Sequence, residues 1–235
     1  MEQDMQKIQA VRDNYARIAS GIAEAAAKSG RKPEDIAFMA VTKTVDPELV
    51  NEAIDCGIQL LGENRVQEWQ GKKDAYRAGV PVDFIGALQS NKVKYLMGQI
   101  RLIHSVDRMS LAQEIDRQAE KHGIVQDILL EVNIGGEASK SGIEPSELPA
   151  LLAQVGTLPN VNVKGLMTIP PPCSDTRYLE AMEELFLRTK ESDPERMQIL
   201  SMGMSDDYAA AIEHGSTLVR VGSALFGARD YSKTK

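Results

Sequence analysis

The sequence is short of aromatic residues, of cysteine and of basic charge, and each shortage closes off a class of protein. Aromatic residues are 5% of the 235, with a single Trp. A core with so few rings must be built from Ile, Leu, Val, Met and Ala, which suits buried strands lying under helices. The two cysteines, Cys56 and Cys173, stand apart with no Cys-x-x-Cys pair and no adjacent His. Neither a disulfide framework nor a zinc set is expected, and both thiols read as reduced and incidental. Lys and Arg number 27 against 34 Asp and Glu, a net charge of −7, which disfavours nonspecific attraction to nucleic acid or an anionic membrane. No apolar run nears the length that spans a bilayer, and Met1-Glu2-Gln3-Asp4 lacks the basic-then-apolar layout of a secretory signal. A cytoplasmic protein with no nucleic-acid or membrane partner is expected.

Hydrophobic residues make up 43% and charged residues 26% of the chain, ordinary values for a globular domain. Ile8, Val11, Tyr15, Ile18 and Ile22 recur at steps of three and four, which predicts a helix within residues 1–30, stopped at Ser29-Gly30. Eight short apolar runs follow, at 36–41, 59–62, 82–86, 102–106, 128–132, 161–167, 199–202 and 218–221. Helix punctuation separates them. Asp46-Pro47 and Glu144-Pro145 read as helix starts, Asp107 as a cap, and Gly57, Gly123 and Gly215 as helix ends that need a left-handed residue. Strands alternating with helices run parallel and are covered on both faces. Eight repeats in this length predict an α/β fold, a single (β/α)8 TIM barrel over 36–231 with an extra N-terminal helix. No linker divides the chain, so residues 1–235 are read as one domain. Ile169-Pro170-Pro171-Pro172-Cys173-Ser174 is too short to separate two.

Function in such a barrel sits at the C-terminal ends of the strands. Lys43 follows the buried run Ala37-Phe38-Met39-Ala40-Val41, where lost hydration would lower an amine pKa and leave the free base that attacks carbonyls. The plainer alternative is a strand-end lysine paired with a carboxylate such as Glu63. Ser201-Met202-Gly203-Met204-Ser205-Asp206-Asp207 reads as a strand turning into a helix with Ser205 at the N-cap, an end whose N–H groups can bind phosphate. Ordinary capping by Ser205, with Asp206 and Asp207 as first-turn acids, is the structural alternative. Arg220-Val221-Gly222-Ser223 repeats the arrangement one strand later, and Arg220 shares the inward parity of Gly222. A lysine able to form a Schiff base and a phosphate cradle across strands seven and eight describe a site for pyridoxal 5′-phosphate (PLP). Arg220 would face the ring nitrogen, keep it unprotonated and weaken the ring as an electron sink.

The blocks Ala40-Val41-Thr42-Lys43-Thr44, Gly62-Glu63-Asn64, Phe84-Ile85-Gly86, Leu88-Gln89-Ser90-Asn91-Lys92, Ser139-Lys140-Ser141-Gly142, Gly165-Leu166-Met167, Met202-Gly203-Met204-Ser205-Asp206-Asp207 and Arg220 through Gly227 resemble, in order, the motifs of the YggS/PROSC family. These are the pyridoxal phosphate homeostasis proteins. The resemblance implies a fold similar to the N-terminal barrel of alanine racemase and PLP binding without catalytic turnover. By motif, Lys43 is implied as the imine lysine, Ser205, Gly222 and Ser223 as phosphate contacts, Arg220 as the ring-nitrogen partner, and Asn64 and Lys140 as contacts near the ring. The chain departs from the pattern at Val82-Asp83, where many members carry Trp-His, at Arg65, often Tyr, and at Ser223, commonly Thr. The first departure bears on any proton relay through strand three.

Among the remaining residues, His104 receives no role, His122 and His214 are explained as complements to helix C-termini, and Trp69 as packing. The expected function is intracellular PLP homeostasis or delivery to apo PLP-dependent enzymes by a monomer or weak homodimer. A PLP-dependent racemase and a Schiff-base aldolase are the alternatives. A racemase needs acid–base groups on both faces of the substrate carbon. An aldolase would carry its lysine later in the barrel, where Lys164 precedes its strand-end motif.

Overall fold

The computed structural model describes residues 2–172 and 175–228; Cys173, Tyr231 and the basic ending Ser232 to Lys235 lie outside them. The eight apolar runs become eight parallel strands joined in sequence order into a closed barrel. They are β1 (Ala37–Val41), β2 (Leu60–Glu63), β3 (Val82–Phe84), β4 (Leu102–Val106), β5 (Gln126–Glu131), β6 (Val161–Met167), β7 (Ile199–Ser201) and β8 (Leu218–Val221). The ring closes where β1 pairs with β8, from Ala37↔Leu218 to Ala40↔Val221. Around it lie α1 (Glu2–Lys28), α2 (Pro47–Cys56), α3 (Val66–Lys72), α4 (Met109–His122), α5 (Leu148–Val155), α6 (Arg177–Ser192), α7 (Tyr208–Glu213) and α8 (Ser223–Phe226).

The third repeat breaks the strand–helix alternation. β3 is followed by a 3₁₀ stretch, Ser90–Tyr95, in place of an α-helix. Val93, Leu96 and Met97 carry its buried side and Gly98, at φ 72°, ends the segment; a short run with i, i+3 burial suits the tighter helix. Gly57, Gly123 and Gly215 all take positive φ at helix ends, as expected. Asp46 is the N-cap residue of α2 with Pro47 behind it, though its carboxylate makes no capping bond. Asp107 does not cap α4. Arg108 holds that position, and the Asp107 carboxylate is drawn to the Arg108 guanidinium at 2.6 Å. His122 bonds the Gln118 carbonyl at 2.8 Å in the last turn of α4, while His214, beyond α7, meets Glu183 of α6 at 3.1 Å. Trp69 is buried in the main core. No helix among the described residues is long and apolar enough to cross a membrane.

α1 buries Val11, Ile18 and Ile22, each contributing about 1.5–3 kcal/mol, and stacks Tyr15 on Phe38 of β1 with ring centres 5.9 Å apart. It also grips α8: Asn14 donates to the Leu225 carbonyl at 3.0 Å and Arg17 to that of Ala224 at 3.2 Å. The helix that precedes the barrel thus fixes the segment leaving its last strand.

Side chains alternate along each strand between the helix layer and the barrel axis. Val219 and Val221 pack outward and Leu218 inward, so Arg220 faces the axis. Two small apolar groups fill part of the interior, Met39, Val41, Leu60, Ile85 and Leu218 in one and Leu102, Leu129 and Met167 in the other. Asp83, His104, Ser201 and Arg220 occupy inward positions as well and are buried. Buried polar groups need partners, and each of these finds at least one among the other three.

Candidate functional site

The C-terminal ends of β1 and β8 converge on a cleft of about 190 Å³ whose lining includes Lys7, Val41, Lys43, Thr44, Gly222 and Ser223. Lys43 comes straight off β1 and is half-buried. The next residue, Thr44, has φ 61° and is the one non-glycine residue with positive φ among the described residues. Its N–H is held by the Glu68 carboxylate of α3, which Lys72 also grips. The turn that presents Lys43 is therefore strained and clamped.

Opposite Lys43, the segment after β8 turns its N–H groups toward β7. Gly222 and Ala224 both donate to the Ser205 hydroxyl oxygen, at 3.3 and 3.1 Å. Ser205 is thus not the N-cap expected for it. α7 starts at Tyr208 and Asp207 is its N-cap residue, taking the Met204 N–H at 2.6 Å. The nearer carboxylate holds the turn, and the hydroxyl goes to the neighbouring loop. Two N–H groups aimed at one oxygen, beside a hydroxyl, form a concavity suited to an anion. Gly222 is not required by the backbone or by space. A Cβ there would meet Val41 at 3.4 Å, an ordinary contact, so the missing side chain leaves the cleft open. Gly86 differs, since its Cβ would sit 2.0 Å from the Asn64 carbonyl oxygen; only glycine lets the β2 and β3 loops close together, and that contact sets Asn64 at the rim beside β1.

Arg220 is 3% exposed. Its guanidinium donates to Ser201 Oγ at 2.6 Å and to the Thr168 carbonyl at 2.8 Å, and burial pushes its pKa down to about 10, so it stays charged at neutral pH. Glu131, inward on β5, is pushed up to about 7, chiefly by burial and then by Asp107, with Arg220 opposing.

Lys43, Gly222 and Ser223 therefore line one cleft, Ser205 is bonded to Gly222 from the β7 side, and Arg220 lies two residues before Gly222 on β8. Lys140 lies apart from them. Its ammonium lies 3.0 Å from Glu137 and 3.5 Å from the Pro170 carbonyl, in the loop after β5, four strands from β1 around the ring. A separate groove of about 390 Å³ between α5 and α6, lined by Leu152, Leu185 and Arg188 among others, contains none of these residues. Sequence reasoning missed Glu131, Asp83 and Ser201 and left His104 without a role. Inward parity at consecutive strands was the available signal.

The family described as alanine racemase, N-terminal domain, matches residues 7–230. A pyridoxal phosphate homeostasis protein of Aquifex aeolicus is 45% identical over 224 residues, covering 93% of this chain and 98% of the relative. The chain belongs to the pyridoxal phosphate homeostasis protein family. The resemblance carried by the motifs from Ala40 to Gly227 is borne out. Among solved structures, a Bifidobacterium adolescentis protein described as unknown superposes with a TM-score of 0.88 at 34% identity, over 94% of this chain and 96% of the other. PipY of Synechococcus elongatus, a family relative solved with PLP bound, gives 0.74 at 32% identity over 88% and 100%. The alanine racemase of Streptomyces lavendulae, at 18% identity, gives 0.73 over 94% of this chain and 60% of its own; it shares the fold, as expected for a barrel of this type.

Proposed function

We propose that this family member holds PLP reversibly at the C-terminal mouth of the barrel and serves its homeostasis, passing it to apo PLP-dependent enzymes without turning over a substrate of its own. Bound PLP supplies an aldehyde that condenses reversibly with a primary amine. Two lysines line the cleft, Lys7 of α1 and Lys43, and Lys43, fixed at the end of β1, would be the amine that condenses with it. The observation that carries the reading is the meeting of Lys43 with the N–H groups of the β8 loop in one cleft, which matches the two ends of an aldehyde bearing a phosphate. Ser205, Gly222 and Ser223 would hold the phosphate. Arg220 has donors only, so it would hold a ring nitrogen that carries no proton. Asn64 would contact the ring from the end of β2, whereas Lys140, held by Glu137 in the loop after β5, is given no part in the cleft. The names of the relatives and the PLP in PipY support the same assignment.

The reading of a holder in preference to a racemase rests on the lining. Racemisation needs proton-transferring groups on both faces of the substrate carbon, and no Tyr or His lines the cleft among the described residues. The test is chemical. Protein incubated with PLP should show a visible band, and borohydride should fix the cofactor to the peptide bearing Lys43. An equally reducible band in Lys43→Ala would overturn the site, and turnover of D- or L-alanine well above that of free PLP would overturn the holder.

A further inference from the structure

Beneath the cleft, side chains from four strands make one continuous chain of hydrogen bonds across the barrel interior. Arg220 Nη1 donates to Ser201 Oγ at 2.6 Å, Ser201 Oγ lies 3.1 Å from His104 Nδ1, and His104 Nε2 lies 2.9 Å from Asp83 Oδ2. The Asp83 carboxylate receives two further bonds, at 2.8 and 2.6 Å, from Arg101. The first four are buried. Arg101 is 41% exposed at its side chain and lines the opposite, N-terminal mouth of the barrel with Ile199 and Thr217.

With a neutral imidazole, one proton assignment satisfies every link. Arginine only donates, so the Ser201 oxygen accepts from Arg220 and its own proton points to His104 Nδ1. That nitrogen is bare, and Nε2 carries the proton that the Asp83 carboxylate accepts. A charged imidazole would make the Ser201 oxygen a double acceptor and turn its proton away from this chain; burial disfavours that form, holding His104 below its ordinary pKa, with Arg220 and Arg101 pushing the same way against the pull of Asp83. Ser201 and the Thr168 carbonyl, both neutral, accept hydrogen bonds from the Arg220 guanidinium. Glu131 and Asp207 act on it through space. The carboxylate that answers its charge through bonds is Asp83, two neutral groups away.

We propose that Asp83, His104 and Ser201 are positioning residues for the cofactor ring: they fix the Arg220 guanidinium from below in one orientation and pass the polarisation of a buried carboxylate to it. This rests on the reading of Arg220 as partner of the ring nitrogen. Arg101 anchors the chain at the far mouth, so the electronics of the ring are set partly from the other end of the barrel.

Two measurements test it. In ligand-free protein with ¹⁵N-labelled histidine, His104 should show a bonded proton on Nε2 and none on Nδ1 at about pH 7.5; the other tautomer, or a charged ring, overturns the chain. In PLP-loaded protein, Ser201→Ala should move the midpoint of the pH titration of the visible band by about half a unit or more and weaken PLP severalfold. Ser201→Thr, which keeps the hydroxyl, should restore both, and Asp83→Asn should move the midpoint in the same direction as Ser201→Ala. A borohydride label on Lys43 with an unchanged midpoint in folded Ser201→Ala and Asp83→Asn refutes the positioning role alone. A label on any other peptide refutes the site reading and the positioning role with it.

Discussion

Replacing Glu131 by Gln should raise the stability of the ligand-free protein at alkaline pH and leave it nearly unchanged at acid pH. Glu131 is 5% exposed at the inward end of β5, and its carboxyl is pushed from an ordinary 4.5 to about 7. A carboxyl with a higher pKa folded than unfolded binds more protons in the folded state. Its contribution is intact below the unfolded value and is lost as pH rises from 4.5 through 7. The full shift of about 2.5 units corresponds to roughly 3 kcal/mol at 1.36 kcal/mol per unit. Between pH 5 and pH 8 most of this is traversed, so about 2 kcal/mol should separate the two conditions. Other carboxylates titrate over the same window, so the informative quantity is the stability of Glu131→Gln minus that of wild type, from urea unfolding at each pH. That difference should grow by about 2 kcal/mol on going to pH 8. A difference that is flat with pH, or that shrinks, would refute the claim that burial outweighs the attraction of Arg220.

Two other substitutions probe the cleft. Gly222→Ala should fold with stability within about 0.5 kcal/mol of wild type, because the added Cβ makes only an ordinary contact with Val41, yet it should weaken PLP by about tenfold, roughly 1.4 kcal/mol, by placing a methyl beside the N–H groups proposed to hold the phosphate; unaltered PLP titration would remove Gly222 from the proposed site. Thr44→Gly should raise the urea midpoint at constant m-value. Left-handed backbone costs a β-branched residue about 1–3 kcal/mol and the extra freedom of glycine in the unfolded chain returns about 0.5–1, so a lower midpoint would show that the turn at φ 61° stores no strain.

The barrel was legible because its signals are local. Each strand is a short apolar run, and residues such as Gly57, Gly123 and Pro47 close or open a helix through their own backbone preferences. The lysine and the glycine-serine turn of the site were legible for the same reason, since Lys43, Gly222 and Ser223 are at strand ends that any such barrel turns toward its functional face. What could not be read was which side chains meet across the interior. Asp83, His104, Ser201 and Arg220 come from β3, β4, β7 and β8, and their contact depends on strand register, including the irregularities between Ile103 and Val106 on β4 and between Ile128 and Leu129 on β5. Taken singly, His104 reads as a satisfied structural group, and the departure at Asp83 reads as the loss of a relay. Together they are a carboxylate–histidine pair built from two strands. Ser205 failed for the opposite reason: a hydroxyl near a helix start has a local use and a tertiary one, and here the tertiary partners, Gly222 and Ala224, prevail.

The two mouths of the barrel differ in how well their charges are matched. At the N-terminal end, Asp83 and Arg101 make a two-bond pair. At the C-terminal end, Glu131 is pushed toward neutrality, Arg220 is bonded to a hydroxyl and a carbonyl, Glu63 at the end of β2 is raised by burial and has one oxygen without a partner, and Thr44 holds an unfavourable backbone angle. Each of these lowers the stability of the fold, and none is needed to close a ring of eight strands. Mismatched ionisable groups gather where a protein does chemistry or binds, and a ligand that binds only the folded state returns stability in proportion to its concentration over Kd. A protein with several such groups at the mouth holding Lys43 should therefore gain stability when PLP occupies that mouth. The thermal midpoint should climb with PLP in wild type and stay flat in Lys43→Ala, and an equal climb in both would show that the cofactor is stabilising the fold from somewhere else.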